Sequence, residues 1–350
     1  MSQKMEMENA MNDTVLPAQK IQATANDIKV SVLVITYKHA KYIERCLDSV
    51  LAQKVNFRYE IVVGEDCSND GTREILLKYK ERYPDIFVLL LNEENMGVSG
   101  NGFNVRAHSR GEYLTGLEGD DFWIDDTKLQ QQVDFLDAHP EYGAVGTNSV
   151  NVDHEGKNPR ITLMNWQVNR TYTLRDYLRG GMVIHGNSLM RRRYHPEDEE
   201  RYTRLRLAEP TMGDIITRVI IYDMGKLYVL PSVTHAHRDG AKDPTSYTAA
   251  QKDKAIEMSK MYMRIVDNLT EYFDGKYDLQ ALKAQRMGVV LYNRLSGRNR
   301  MDMKQYWALL NTLPVRLRVM SLFRCLRVYF RLALRLAGKK LGMYKKVTEI

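Results

Sequence analysis

Three short polar clusters in the first third of the chain have the residue types of a site for a cation and a phosphate. Thr36-Tyr37 follows the apolar run Val30–Ile35, Glu65-Asp66 follows Tyr59–Val63, and Glu118-Gly119-Asp120-Asp121 follows Tyr113–Leu117. A lone Asp-Asp pair is usually a solvated turn. Acids that recur at the ends of buried strands are better explained by a hard cation. Mg²⁺ and Mn²⁺ prefer oxygen ligands and bind through one or two carboxylates together with a substrate's phosphates.

Such clusters act together only if the elements beneath them are aligned. Val30-Ser31-Val32-Leu33-Val34-Ile35 reads as a strand buried on both faces. A helix with Ile43, Leu47, Val50 and Leu51 on one stripe follows, then a strand over Tyr59–Val63 and a polar turn from Glu65 to Gly71. Thr72 is placed to cap the next helix, which carries Ile75, Leu76 and Tyr79. Further strands are expected at Ile86–Leu91 and Tyr113–Leu117. Strands alternating with helices at this spacing imply right-handed βαβ units and a mostly parallel sheet. Ligands of such sheets bind outside the carboxyl ends of the strands, where the three clusters fall. No Gly-x-Gly-x-x-Gly follows the first strand and no P-loop lysine motif occurs, which argues against a dinucleotide fold and a P-loop NTPase. After Gly240 the pattern turns helical, near 249–270, 278–296, 302–313 and 315–337.

The 350 residues, 44% apolar and 27% charged, exclude a disordered, collagen-like or low-complexity chain. Cys46, Cys67 and Cys325 are too few and too scattered for a disulfide framework or a zinc site, so a reducing compartment is expected. Residues 1–28 read as a loose polar arm without a secretory signal, and no apolar run is long enough for an ordinary membrane span. The net charge of +7 is unevenly spread: residues 303–350 hold eleven Lys or Arg and one acid, +10, which leaves −3 on the remainder. A slightly acidic body argues against a nucleic-acid-binding core.

Over Val30–Val150 the chain resembles the family-2 glycosyltransferases of GT-A fold, on the segments VSVLVITYKHAKYIERCLDSVLAQ, YEIVVGEDCSNDGT, NMG, GEYLTGLEGDDFW and KLQQQVDFL in that order. Within that family it is similar to the subgroup with a Gly-Glu-Asp-Cys-Ser turn, common among bacterial surface-polysaccharide enzymes. The resemblance implies a Rossmann-like nucleotide-binding mixed sheet flanked by helices, over residues 29–240, with a nucleotide-sugar half at 29–150 and an acceptor half at 151–240, followed by a helical region at 241–350. It implies that Thr36 and Tyr37 lie at the nucleotide base, that Asp66, with Glu65 beside it, accepts from the base's ring N–H, that Asp120 faces the ribose and metal, and that Asp121 binds the Mg²⁺ or Mn²⁺ bridging the diphosphate. A donor contact is also implied within Asn101–Arg106, without a choice among its residues.

An inverting transfer needs one general base in the acceptor half, and Glu209, Asp214 and Asp223 are candidates. Asp214 precedes the stripe Ile215, Ile216, Val219 and Ile220, so it sits at a helix N-terminus, where it can cap the helix and stay ionised. The Gly213-Asp214 pair matches the subgroup's usual base position. Trp123 divides between stacking on a sugar and a core role. His185 and Asn187, interrupting Met182–Met190, resemble the acceptor-side strand. His237 and Arg238, after the strand Leu227–Val233, fall in the segment that lies over the diphosphate in relatives. His235-x-His237 has metal-ligand spacing, but the sequence offers no third ligand.

The expected activity is therefore a metal-dependent inverting transfer from a nucleotide sugar, most readily a UDP-sugar, to a hydroxyl of a glycan or lipid-linked acceptor. A nucleotidyltransferase and a non-catalytic nucleotide-sugar-binding protein are the alternatives. The basic tail, 315–346, has arginines at 324, 327, 331 and 335 on one helical stripe, with Leu322, Phe323, Leu326, Tyr329, Phe330, Ala333 and Leu334 on a broad opposing face. That pattern suits a helix lying in an anionic membrane surface, which implies a cytoplasmic protein peripheral to the inner face of the cell membrane.

Overall fold

Val30, Val32 and Val34 of β1 (Val30–Thr36) are wholly buried and pack against Ile43, Leu47 and Val50 of α1 (Ile43–Leu51). The alternation of βαβ units predicted from the apolar runs is what the computed structural model contains. It describes residues 28–180, 184–194, 213–238 and 254–340, with backbone only for 213–214 and 331–340. Residues 1–27, Glu209 and the end of the basic tail lie outside the described residues. The chain continues through β2 (Tyr59–Glu65), α2 (Thr72–Arg82), β3 (Phe87–Leu91), α3 (Gly97–Ala107), β4 (Tyr113–Glu118), β5 (Phe122–Trp123), α4 (Lys128–Ala138) and β6 (Tyr142–Val152). Then come β7 (Arg160–Ile161), β8 (Arg170–Tyr172), α5 (Leu174–Leu178), β9 (Leu189–Arg192), α6 (Gly213–Met224) and β10 (Lys226–Arg238).

The strands form one ten-stranded mixed sheet, ordered β3-β2-β1-β4-β9-β6-β10-β5, with β7 on β6 and β8 on β10. The first four strands are parallel: β1 pairs β2 and β4, and β2 pairs β3. β9 is inserted antiparallel between β4 and β6 and joins the two halves.

Two elements differ from expectation. Asp70, rather than Thr72, serves the start of α2: its Oδ1 accepts from the Thr72 N–H at 3.1 Å and hydroxyl at 2.6 Å. The Thr72 oxygen is then left to accept from the His39 N–H at 3.0 Å. The strand expected to end at Val233 runs on to Arg238, because it stays paired with β6 as far as Val152 and gains β5 as an antiparallel neighbour.

Four helices follow: α7 (Ala255–Tyr272), α8 (Ala281–Leu295), α9 (Met303–Asn311) and α10 (Val315–Lys340). Ile265, Val266 and Leu269 of α7 share a core with Ile216, Val219 and Ile220 of α6, so the core of the sheet extends past residue 240. Met287, Val290 and Leu291 of α8 pack with Leu317 and Cys325 of α10 in a second layer. Among the described residues no helix is long and apolar enough to cross a membrane.

Candidate metal and diphosphate site

Parallel registry brings the polar clusters to one edge: Thr36 stands opposite Glu65 across β1–β2, and Ile35 opposite Glu118 across β1–β4. Gly119 keeps the clusters close. A Cβ there would lie 2.6 Å from Thr36 Oγ1 and 2.8 Å from His39 Nδ1, so only glycine lets the acidic loop approach the end of β1.

Asp66 is anchored by its own chain. Its carboxylate accepts from the N–H groups of Met96 and Gly97, at 2.8 and 2.9 Å, and from Asn92 Nδ2 at 3.0 Å. A carboxylate offers about four acceptor positions, so one remains for a ligand N–H. Asn101 and Asn104 support this lattice, bonding to Gly64 O at 2.8 Å and Asn92 Oδ1 at 2.9 Å. Tyr37 is 40% exposed and follows Thr36, whose carbonyl accepts from the Asp66 N–H at 3.0 Å; Lys38 Nζ lies 5.2 Å from the Tyr37 ring centre.

Asp121 is the hub. It is fully buried and accepts from Asn187 Nδ2 (2.8 Å), His235 Nε2 (3.0 Å), His237 Nδ1 (3.0 Å) and the Arg238 N–H (2.9 Å). Burial alone would push its carboxyl upward, but the hydrogen bonds from His235 and His237 outweigh this and hold it well below the usual range. His237 is also penalised by burial, yet Asp121, Glu118 and Asp120 raise it to about 9, so it is an imidazolium at neutral pH. His185 stacks on His235 and lies against His237, with centroids 4.8 and 4.3 Å away, and burial lowers it to about 3. Burial also raises Asp120, whose carbonyl accepts from the Arg238 guanidinium.

The fold thus sets a third potential ligand beside the histidine pair. Residues two apart on a strand share a face, so β10 presents both His235 and His237 to Asp121, more than a hundred residues earlier in the chain. Glu118, Asp121 and His237 offer ligand atoms within 4.8 Å of one another, as do Asp121, His185 and His235. The Nδ1 of the buried His235 has no hydrogen-bond partner. Carboxylate and imidazole donors together fit a divalent ion, and the imidazoles favour Mn²⁺ over Mg²⁺.

Several sequence expectations change. Glu65 faces inward: it accepts from the Ser68 N–H at 2.6 Å and is paired with Arg73 at 2.6 Å, so it braces the turn instead of meeting a base. Trp123 is a core residue, 4% exposed, with Lys128 Nζ 4.3 Å from its ring centre, which leaves no face for a sugar. Asp223 lies at the far end of α6 and is bound at 2.7 Å by both Lys276 and Tyr277, which excludes it as a base. Asp214 occupies the first turn of α6 and its side chain lies outside the description. Thr217 and Arg218, one turn on, line a small cavity with His185 and Gly186, so this end of the helix adjoins the histidine cluster. In the sequence, His235 is marked only by its spacing from His237, and Glu118 only as a member of the acidic cluster that follows Leu117. Only the alternation of His-x-His pointed to a shared face.

The mixed α/β sheet flanked by helices, with carboxylates and imidazoles gathered at its strand ends, has the GT-A architecture. Over residues 31–197 the chain matches the sequence model of glycosyl transferase family 2. It is 36% identical over 172 residues to an uncharacterized protein of Mycobacterium tuberculosis, covering 49% of each chain. It is 37% identical over 107 residues to a putative teichuronic acid biosynthesis glycosyltransferase, TuaG, of Bacillus subtilis, covering 31% of this chain and 41% of the relative. The chain spans about half the length of the curated relatives it matches first. In fold it is similar to Staphylococcus aureus TarS 1–349 solved with UDP-GlcNAc, with a TM-score of 0.57, 18% identity and 84% of each chain covered.

Proposed function

We propose that this chain is a metal-dependent inverting glycosyltransferase of bacterial surface-polysaccharide synthesis, moving a sugar from a UDP-sugar to a hydroxyl of a glycan or lipid-linked acceptor. The observation that carries the reading is the convergence of Asp121, His237 and Glu118 at the strand ends beside Asp66 and Tyr37. Tyr37 and Thr36 border the base, and Asp66 accepts its ring N–H. Asp120 faces the ribose. Asp121, His237 and Glu118 would hold the divalent ion, with His185, His235 and Asn187 packed around Asp121. When bound, that ion offsets the charge developing on the departing diphosphate. Arg238, 7% exposed, adds a fixed positive charge there.

Asp214 takes the proton of the acceptor hydroxyl as its oxygen bonds to the anomeric carbon and the bond to the diphosphate breaks. Asp214 lies in the first turn of α6, and a helix N-terminus favours an ionised carboxylate. Attack from the face opposite the leaving group inverts the anomeric centre. The exposed apolar residues of α10 and the basic tail support a cytoplasmic protein held peripherally on an anionic membrane. The test is a panel of nucleotide sugars with Mn²⁺ or Mg²⁺ and candidate acceptors, scored for release of free nucleoside diphosphate. Metal-dependent release from one donor is expected. Equal release in EDTA, or binding of every donor without turnover of any, overturns the reading.

A further inference from the structure

On the C-terminal side of the fold, a cavity of about 1010 Å³ opens between α5, α8 and α10, and it shares no residue with the Asp121 cluster. Six cations line it, Arg175, Arg179, Lys276, Arg316, Arg324 and Arg327, against one acid, Asp278. Lys276 is paired with Asp223. Arg324 and Arg327 fix the wall of the groove by donating to the carbonyls of Gly180 and Arg179, at 3.2 and 2.8 Å. Among the described residues no carboxylate stands at ion-pairing distance from Arg175, Arg179 or Arg316. Asp176, the acid of α5, accepts from the Thr173 N–H and hydroxyl, and the charges of Arg170 and Arg179 add to the lowering of its carboxyl, with no ion-pair contact to Arg179. The floor is apolar, with Leu174, Leu178, Met320 and Phe323.

The groove does not stop at a closed wall. Phe323 continues along α10 into Val315, Val319, Leu322, Leu326 and Phe330, which are 40–69% exposed. A contiguous exposed apolar stripe marks an interaction surface. Cations grouped at an apolar floor that runs out onto an apolar stripe match an anionic headgroup with an acyl chain attached. A free phosphate would leave the stripe uncovered.

We propose that this groove binds the phosphate headgroup of an anionic membrane lipid while the α10 stripe enters the acyl boundary. The inference rests on the membrane reading above and assigns it a site. Arg175, Arg179 and Arg316 bind the phosphate; Arg324 and Arg327 keep the groove open. Each basic residue near an anionic surface is worth about fivefold in binding.

The test is co-sedimentation of the full chain with phosphatidylcholine vesicles, with and without phosphatidylglycerol. The variants are Arg175→Ala/Arg179→Ala/Arg316→Ala and a control of equal charge, Lys260→Ala/Arg300→Ala/Lys304→Ala, at exposed positions outside the groove. The groove variant is expected to bind phosphatidylglycerol vesicles at least tenfold more weakly, the control less than threefold, both with wild-type melting temperatures. Equal losses in the two variants mean general charge attraction and overturn the site. No loss in either, or full competition by soluble glycerol phosphate at millimolar concentration, also overturns it. A wild type that ignores phosphatidylglycerol vesicles overturns the membrane reading itself.

Discussion

Replacing His237 by Gln removes the group whose protonation is most altered by the site, and its effect can be worked out in sign and size. The His237 imidazole rises from 6.5 to about 9 against the pull of burial, because Asp121, Glu118 and Asp120 favour its charged form. A group with a raised folded value binds more protons in the native than in the unfolded chain. Its contribution is therefore complete below pH 6.5 and is lost as pH rises through 9. The difference corresponds to about 3 kcal/mol, and the side chain is 29% exposed, so screening is modest. In EDTA, urea unfolding of wild type and His237→Gln should differ most near pH 6 and converge by that amount towards pH 10. The metal experiment has the same origin. Mn²⁺ competes with the proton on His237, so binding at pH 7 should release about one proton, read by titration calorimetry in buffers of different ionisation heat. Stability curves that run parallel from pH 6 to 10, with no proton released, would refute the arrangement.

Asp121→Ala should abolish turnover and remove the difference in diphosphate affinity between Mn²⁺ and EDTA, read by calorimetry. Asp214→Asn should keep donor binding but lower kcat by about a hundredfold or more; near-normal turnover with an intact circular dichroism spectrum would return Asp214 to a capping role. Lys128, wholly buried and lowered to about 7 by that burial, binds fewer protons folded than unfolded between pH 7 and 10.5. The wild type should therefore gain stability relative to Lys128→Met across that window, by up to about 5 kcal/mol, and a flat difference would show the ammonium to be solvated. Gly119→Ala should cost about 1–3 kcal/mol and weaken diphosphate binding, because its Cβ meets Thr36 and His39; a wild-type melting temperature would refute the close approach.

The local pattern was enough for the first half of the fold. Valines at 30, 32 and 34, the stripe of α1 and the acids after each apolar run predicted parallel strands with a shared polar edge, because burial and registry there depend on near neighbours in sequence. For the same reason the sequence places Tyr37, Asp66 and Asp121 just beyond the ends of their strands. The basic tail was legible as an amphipathic helix, though its arginines do more than face a surface: Arg324 and Arg327 bind the carbonyls at the end of α5.

What the sequence could not disclose was which partner each polar group would meet. Glu65 and Asp66 are adjacent acids, yet one turns inward to Arg73 and the other keeps an acceptor position for a ligand, a division set by the side of the turn each occupies. Trp123 became core because Lys128 and the end of β10 close over it. Nothing local distinguishes a histidine pair in a strand from one beside it. The amino-acid sequence determined that acids end parallel strands and that two histidines share a face. Only the tertiary structure, by laying β10 beside β5, decided that those histidines meet Asp121, because that contact depends on sheet order and not on spacing along the chain.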